Sequence, residues 1–159
     1  MVSGARRRLN ERPVCGVYAT INYMTPTNHP ILFFDGVCNL CNGAVQWFIR
    51  RDRSDKLRFA SLQSDLAREL LPAAGVDPTR LNSLVLYEDG RAYTKSQGAL
   101  RAASYLGGLW SRLASVAGVL PGGLRDAVYD LIARNRYRWF GQKAECMIPT
   151  PEQRARFVD

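Results

Sequence analysis

Cysteine, histidine and long apolar runs are all scarce in this sequence. The 159 residues include one histidine, His29, and four cysteines, at positions 15, 38, 41 and 146. Four unevenly spaced cysteines are too few for a secreted disulfide scaffold. No apolar stretch reaches the roughly 18 residues that a membrane-spanning helix needs, because the longest candidate, LGGLWSRLASVAGVLPGGL, is broken by Arg112 and by glycines. These shortages predict a soluble cytoplasmic protein, without a membrane span, that uses two of its cysteines for chemistry.

The composition is that of one globular domain with extensions, since 47% of the residues are hydrophobic and this length suffices for one core. Lysine and arginine number 22 against 14 aspartates and glutamates, which gives a net charge of +8. Such a charge admits nucleic acid, anionic lipid or an acidic protein as a partner. No aromatic-plus-basic motif of a nucleic-acid-binding module is present. The sequence therefore predicts no nucleic-acid partner.

Residues 1–28 form an N-terminal extension with no convincing secretory signal, because the apolar part around Val14 to Ala19 is short and interrupted. Its arginine-rich, acid-poor composition faintly resembles that of an organelle transit peptide. We expect a disordered extension, or a start placed too early with the working chain beginning at Met24. Cys15, within it, is assigned no role.

Apolar periodicity predicts an α/β domain over residues 29–107 with the order β-α-β-α-β-β-α. Ile31 to Phe34 is a continuous apolar run, typical of a strand buried on both faces, and a helix is predicted over 39–52. The segment LRFASL supplies a second strand. SDLARELLPAAG supplies a second helix with Ser64 as its N-cap, ended by Pro72 and Gly75.

Two antiparallel strands are predicted around Asp89-Gly90, a dipeptide that suits a type I′ hairpin turn, and Ser96 is predicted to cap the helix that follows. Residues 108–159 are predicted to be a helical extension packed on the domain. Its second helix, 124–137, should bury four apolar residues at helical spacing: Leu124, Val128, Leu131 and Ile132. In the tail, Thr150 and Gln153 have the spacing of a capping box.

Cys38 and Cys41 lie where the first predicted strand gives way to a helix starting near Asn39. One turn of helix brings two cysteines within disulfide reach, about 4.4 to 6.8 Å between Cα atoms. Unpaired N–H groups and the helix dipole lower the pKa of the exposed cysteine, to roughly 3.5 to 7.5 in such motifs. We therefore predict a thiol-disulfide oxidoreductase in which Cys38 attacks the disulfide of a protein or small molecule and Cys41 resolves the mixed disulfide.

Other functions are compatible with the same spacing. Zinc sites use C-x-x-C, although a second close pair of cysteines is missing here, and cysteine is also a common core residue. The alternatives are a noncatalytic zinc module or a redox sensor using Cys38, Cys41 and Cys146, and two inert core cysteines. Our prediction remains a monomeric enzyme with no metal and no other cofactor.

Asp35, three residues before Cys38, has two possible roles. A partly buried carboxyl with a raised pKa can accept or pass the proton of the second thiol. Alternatively, the carboxylate caps the turn by accepting from the N–H groups of Val37 or Cys38. A charged carboxylate beside Cys38 would oppose thiolate formation, so the first role requires a neutral Asp35 at the right moment.

Five segments in order, FFDGVCNLCNGAVQWFIRRD, LRFASLQS, LVLYEDGRAYTKSQGALR, LRDAVYDLIARNRYRWFG and CMIPTPEQRARF, resemble the DCC family of thiol-disulfide oxidoreductases. The family is named for its Asp-x-x-Cys-x-x-Cys motif. The resemblance covers about Ile31 to the C-terminus. It implies a thioredoxin-like three-layer sandwich with Cys38 and Cys41 as the redox pair and Asp35 as the third motif residue.

Two features leave questions open. Thioredoxins place a cis-proline where this chain has Asn82 and Ser83, and a cis bond without proline costs about 2.5 to 4 kcal/mol, so we expect a trans bond. Cys146 lies in a segment that matches the family. It is either a third thiol that takes the disulfide from Cys38 and Cys41 or a packing residue.

Overall fold

The computed structural model of the chain describes residues 29–81, 83–143 and 148–158. The predictions for residues 1–28, Asn82 and Cys146 lie outside these ranges. Within them, the predicted order β-α-β-α-β-β-α is confirmed, and two further helices follow. The strands are β1 (Ile31–Phe34), β2 (Arg58–Ser61), β3 (Val85–Glu88) and β4 (Arg91–Thr94). The helices are α1 (Asn39–Arg51), α2 (Asp65–Ala73), α3 (Lys95–Ser104), α4 (Gly108–Gly118) and α5 (Gly122–Phe140).

The four strands form one mixed sheet in the order β2-β1-β3-β4. β1 runs parallel to β2, so that Ile31 faces Arg58, and antiparallel to β3, so that Ile31 faces Tyr87. A parallel pair needs a crossover connection, and α1 supplies it. The central strand β1 thus ends at the turn that precedes the two cysteines.

The sheet lies between two helical layers because successive residues of β1 point to opposite faces. Leu32 and Phe34 belong to an apolar cluster with residues of α1 and α3, whereas Ile31 and Phe33 belong to a second cluster with residues of α2. All four side chains are buried, as their unbroken apolar run predicts. A sheet between two helical layers makes the fold thioredoxin-like. The helices α4 and α5 follow it in the chain as additions to that fold.

Local signals in the sequence are confirmed at two connections. The Ser64 side chain caps α2 and accepts a hydrogen bond from Ala67 N at 3.2 Å. In the β3–β4 turn, Asp89 and Gly90 have φ values of 48° and 75°. A type I′ turn requires positive φ at both central positions, so this dipeptide sets the hairpin.

Three local predictions need correction. Pro72 lies inside α2, which ends at Ala73. Ser96 is not an N-cap: the cap of α3 is Thr94, and the Ser96 hydroxyl donates instead to Asp126 of α5. Within residues 148–158 the tail forms one 3₁₀ turn, Arg154–Arg156, and no α-helix, although the Gln153 side chain does accept from Thr150 N, one arm of the predicted box.

The apolar face of α5 is also placed differently from the prediction. The four apolar residues expected in the core, Leu124, Val128, Leu131 and Ile132, are each at least 40% exposed. Polar contacts orient the helix instead: Tyr129 OH accepts from Leu84 N at 3.0 Å, and Asp130 pairs with Lys95 at 2.8 Å. Helical spacing identified the residues that share a face but not the face that packs.

The described residues contain neither a cis peptide bond nor a helix suited to crossing a membrane. No peptide bond is cis in the described ranges, although Asn82 lies outside them. No helix there has the length and apolar character to cross a membrane.

Gly98 lets α3 pack closely on the hairpin. A Cβ at this position would lie 2.3 Å from the backbone oxygen of Tyr93, whereas a Cβ at Gly43 of α1 would have nothing within 4 Å. We expect Gly98→Ala to lower the free energy of unfolding by about 1 to 3 kcal/mol through overpacking. Gly43→Ala should raise it by about 0.5 to 1 kcal/mol, because alanine loses less entropy in a helix. Urea titration of both variants checks this, and a stabilising Gly98→Ala would contradict the close packing.

Candidate active site

Cys38 is the N-cap of α1, as the sequence predicted. Its φ of −83° and ψ of 120° are extended, and its sulfur accepts a hydrogen bond from Cys41 N at 3.3 Å. Its carbonyl accepts the first backbone bond of the helix, from Asn42 N at 2.9 Å. A sulfur in this position faces the free N–H groups of the first turn, which stabilise negative charge on it. Cys41 follows one turn later, and no disulfide joins the two cysteines.

Both thiols are buried, which corrects the expectation of an exposed Cys38. Cys38 is 0% exposed and Cys41 is 5% exposed. Both belong to the apolar cluster between the sheet and α1, and residues 141–143, which we call the covering segment, lie against the backbone of Cys38. Gln142 forms an antiparallel bridge with Cys38, and Lys143 N donates to Val37 O at 2.9 Å. The sequence could not indicate this contact, because it joins parts of the chain about 100 residues apart.

Gly141 allows the chain to turn back over Cys38 after α5 ends. Its φ of +77° is in the left-handed region that favours glycine. Gly141 O accepts from Asn39 N at 3.4 Å, and the Asn39 side chain donates to Phe140 O at 2.9 Å. Asn39, the first residue of α1, thus bonds to the end of α5 through both its backbone N–H and its side-chain amide.

Burial controls the acidity of the second thiol. It raises the pKa of Cys41 to about 12, with smaller contributions in the same direction from the hydrogen bond and charge of Cys38 and from the charge of Asp35. The charge of Arg136 acts in the opposite direction. Cys41 is therefore a neutral thiol at pH 7 and needs a proton acceptor before it can attack.

Asp35 lies in the turn between β1 and Cys38 and is 3% exposed. Its Oδ1 accepts from Val37 N at 3.2 Å, the bond that the turn-capping alternative predicts, and from Gln63 Nε2 at 3.4 Å. Its Oδ2 accepts from Arg136 Nη2 at 2.9 Å and from the Tyr137 hydroxyl. The carboxylate thus serves as turn cap and as buried ion-pair partner at once.

Arg136 and Tyr137, adjacent residues of α5, are site residues that the sequence reasoning missed. Arg136 is 2% exposed, and its Nε and Nη1 have no hydrogen-bond partner among the described residues. Burial and the hydrogen bond donated to Asp35 raise the pKa of Tyr137 above its ordinary value. A faint signal existed, since Tyr129, Ala133 and Arg136 share a helical face. An arginine on such a face is ordinarily solvated, so the signal was easily overlooked.

The alternative zinc module receives no further support or contradiction here. In the ranges that the structure describes, no three His, Cys, Asp or Glu side chains are gathered in a way that could hold a metal ion. Cys146, the third ligand of that alternative, lies outside those ranges. The alternative therefore stays a prediction.

A thioredoxin-like sheet with a C-x-x-C pair at the start of its first helix is the arrangement typical of thiol-disulfide oxidoreductases. Residues 32–142 match the family described as DCC1-like thiol-disulfide oxidoreductase, and the chain belongs to that family. The DCC resemblance of the sequence is thereby confirmed. The three motif residues and the covering segment up to Gln142 all lie within the match.

Two relatives are similar over most of their length. The "Uncharacterized protein YuxK" of Bacillus subtilis (strain 168) is 48% identical over 128 residues, which cover 80% of this chain and 93% of the relative. The "DCC family protein At1g52590, chloroplastic" of Arabidopsis thaliana is 36% identical over 144 residues, 91% of this chain and 84% of the relative. No solved structure has a significant match to the chain.

The Asp35–Arg136 pair predicts a strong double-mutant coupling. Asp35→Asn leaves a buried cation without its partner, and Arg136→Gln leaves a buried carboxylate without its cation. Each should lower the free energy of unfolding by about 3 kcal/mol. The double variant should lose clearly less than the sum, because it leaves no unpaired charge in the core. Chemical denaturation of the four proteins gives the coupling.

The matched control is Arg68→Gln, which breaks the exposed pair with Asp65. There the side chains are 64% and 82% exposed, so the effect should stay within about 1 kcal/mol. Additive losses at Asp35 and Arg136 would show that the two groups do not interact as described.

Proposed function

We propose that this protein exchanges disulfides with a protein or a small thiol, with Cys38 as the attacking and Cys41 as the resolving residue. One observation carries the proposal: the Cys38 sulfur caps α1 and accepts the N–H of Cys41 at 3.3 Å. A sulfur at a helix N-terminus faces unpaired backbone N–H donors, and cysteine sulfur is the nucleophile in thiol-disulfide exchange. Membership of the DCC1-like family supports the same chemistry.

The proposed reaction has two displacements. The Cys38 thiolate attacks one sulfur of the substrate disulfide, forms a mixed disulfide and expels the other sulfur as a thiolate, which takes a proton from water. Cys41 then loses its proton and attacks the Cys38 sulfur, which forms the Cys38–Cys41 disulfide and expels the second substrate sulfur. The substrate disulfide gains two electrons and becomes two thiols, and the protein dithiol becomes a disulfide. The reverse sequence oxidises a substrate dithiol.

In this proposal Asp35 takes the proton of Cys41 during the second displacement. The pKa of about 12 makes Cys41 unreactive without such an acceptor, and Asp35 is close enough for its charge to raise that pKa. Arg136 is a positioning residue: it holds the carboxylate at 2.9 Å and its charge favours the Cys41 thiolate. Tyr137 donates to the same carboxylate oxygen.

Access of substrate to Cys38 requires the covering segment to move. Gln142 pairs antiparallel with Cys38, and its neighbours occupy Val37 O and Asn39 N, the backbone groups on either side of Cys38. Among the described residues, two backbone hydrogen bonds join the covering segment to this turn, from Lys143 N to Val37 O and from Asn39 N to Gly141 O. Displacing them costs about 0.5 to 1.5 kcal/mol per bond, which is small enough for opening during turnover.

A redox sensor is the second candidate, and the covering segment favours it. A disulfide between Cys38 and Cys41 would form directly beneath the residues that end α5, so oxidation could shift that helix. Repeated reduction of a disulfide substrate with a thiol supplied in excess distinguishes the two functions, because a sensor reacts once and shows little turnover.

Trapping tests the proposed roles. Cys41→Ser should accumulate a stable mixed disulfide with oxidised glutathione, because the attacking thiol remains and its release step is gone. Cys38→Ser is the matched control and should form none. The wild type should pass to the internal disulfide. Intact-protein mass spectrometry distinguishes the three products, and an adduct on Cys38→Ser but not on Cys41→Ser would reverse the assignment. The same Cys41→Ser trap in cells identifies the natural substrate.

Opening of the covering segment is tested at Lys143. Lys143→Pro removes the N–H that donates to Val37 O, whereas Lys143→Ala keeps it and serves as the control. In a Cys41→Ser background, Lys143→Pro should speed alkylation of Cys38 by iodoacetamide about 3- to 10-fold, the effect of one lost hydrogen bond on the open population. Equal rates for the two variants would show that these residues do not limit access.

A further inference from the structure

α4 and α5 carry an exposed apolar surface that no contact of the described chain covers. On α4, Leu113 and Val116 lie on one face, and on α5, Leu124, Val128 and Leu131 do the same. Val119 and Leu120, in the turn between the helices, are exposed as well. We call these seven residues the apolar ridge; they are between 48% and 85% exposed. Large exposed apolar patches mark sites of docking to a protein or a membrane.

The ridge is not the packing face of α4. That helix buries Ala114 and contacts α1 through Trp110, whose ring meets that of Trp47 at 4.7 Å between centroids. α5 likewise packs through other residues, Tyr129 and Arg136 among them. The ridge is therefore separate from the face through which each helix packs on the rest of the chain.

The charges beside the ridge are of one sign. The acids of these two helices are Asp126 and Asp130, and both bond inward, to Ser96 and Lys95 of α3. The arginines Arg112, Arg134 and Arg138 are exposed, and within the described ranges none of them pairs with a carboxylate. The outward surface of the two helices thus offers apolar side chains and cations, on a chain of net charge +8.

This charge distribution selects among the possible occupants. A second copy of the chain would meet the ridge with the same patch, since a twofold contact is self-complementary, so both sides would bring the same arginines and no unpaired acid of the two helices. An anionic lipid surface satisfies both features: its acyl chains accept the apolar residues, and its headgroups pair with the arginines. Trp139, 55% exposed beside Arg138, is of the residue type enriched at membrane interfaces.

We propose that the apolar ridge of α4 and α5 binds the surface of an anionic membrane, without crossing it. The binding places the thiol site next to a membrane and does not depend on thiol chemistry, so it is measured separately from the proposed function.

Vesicle sedimentation tests the proposal with the full chain. The protein should sediment with vesicles of equal parts phosphatidylcholine and phosphatidylglycerol, and much less with phosphatidylcholine alone or in high salt. Leu124→Gln and Val128→Gln should each lower the partition coefficient roughly tenfold, by removing apolar area from the contact. Arg112→Gln and Arg138→Gln should each lower it roughly fivefold.

Two control variants match these changes. Ile148→Gln alters a residue that is 61% exposed and outside both helices, and Arg68→Gln removes an exposed arginine of α2; neither should change binding. All these positions are exposed, so the variants should keep the wild-type denaturation midpoint.

Failure of the wild type to bind the anionic vesicles overturns the proposal, as does binding that the ridge variants leave unchanged. A concentration-dependent dimer in analytical ultracentrifugation that Leu124→Gln abolishes would overturn it in favour of a second copy. Equal binding to both vesicle compositions would overturn the role of the arginines.

Discussion

The buried pair between Asp35 and Arg136 is the interaction on which the rest of this structure depends. Both side chains are almost fully removed from water, with 5% and 2% exposed. A charge buried without its partner costs several kcal/mol, so neither the turn before Cys38 nor the end of α5 is stable in its place without the other. The ion pair therefore joins the predicted C-terminal extension directly to the cysteine motif.

The ion pair between Asp35 and Arg136 also determines the surroundings of the two thiols. With α5 held at Asp35, its last residues lie against the start of α1, and Gly141 directs the chain across Cys38. Burial raises the pKa of the Cys41 thiol, while the N–H of Cys41 donates to the Cys38 sulfur. The two cysteines thus have different environments although they are one helical turn apart: the Cys38 sulfur faces a donor at the helix start, and the Cys41 thiol is within the electrostatic influence of the Asp35 carboxylate and the Arg136 guanidinium.

The polar contacts of α5, the ion pair with Asp35 among them, account for its exposed apolar surface. Four polar residues of this helix, Asp126, Tyr129, Asp130 and Arg136, find their partners in the turn before Cys38, in the loop before β3 and in α3. Once these bonds orient the helix, its leucines and valine point outward. Leaving a buried polar group without its partner costs more free energy than leaving a leucine half exposed to water. The polar face therefore determines the orientation of the helix.

The sequence by itself determined the elements whose signals lie within a few residues. These are the buried strand at Ile31 to Phe34, the cap at Ser64, the Asp89-Gly90 turn and the position of Cys38 at the start of a helix, because each depends on near neighbours in the chain. Only the tertiary structure decided the burial of Cys38, the role of Arg136 and the outward face of α5. These depend on contacts such as that between Asp35 and Arg136, 101 positions apart, and no local pattern of residues records which distant partner satisfies a buried charge.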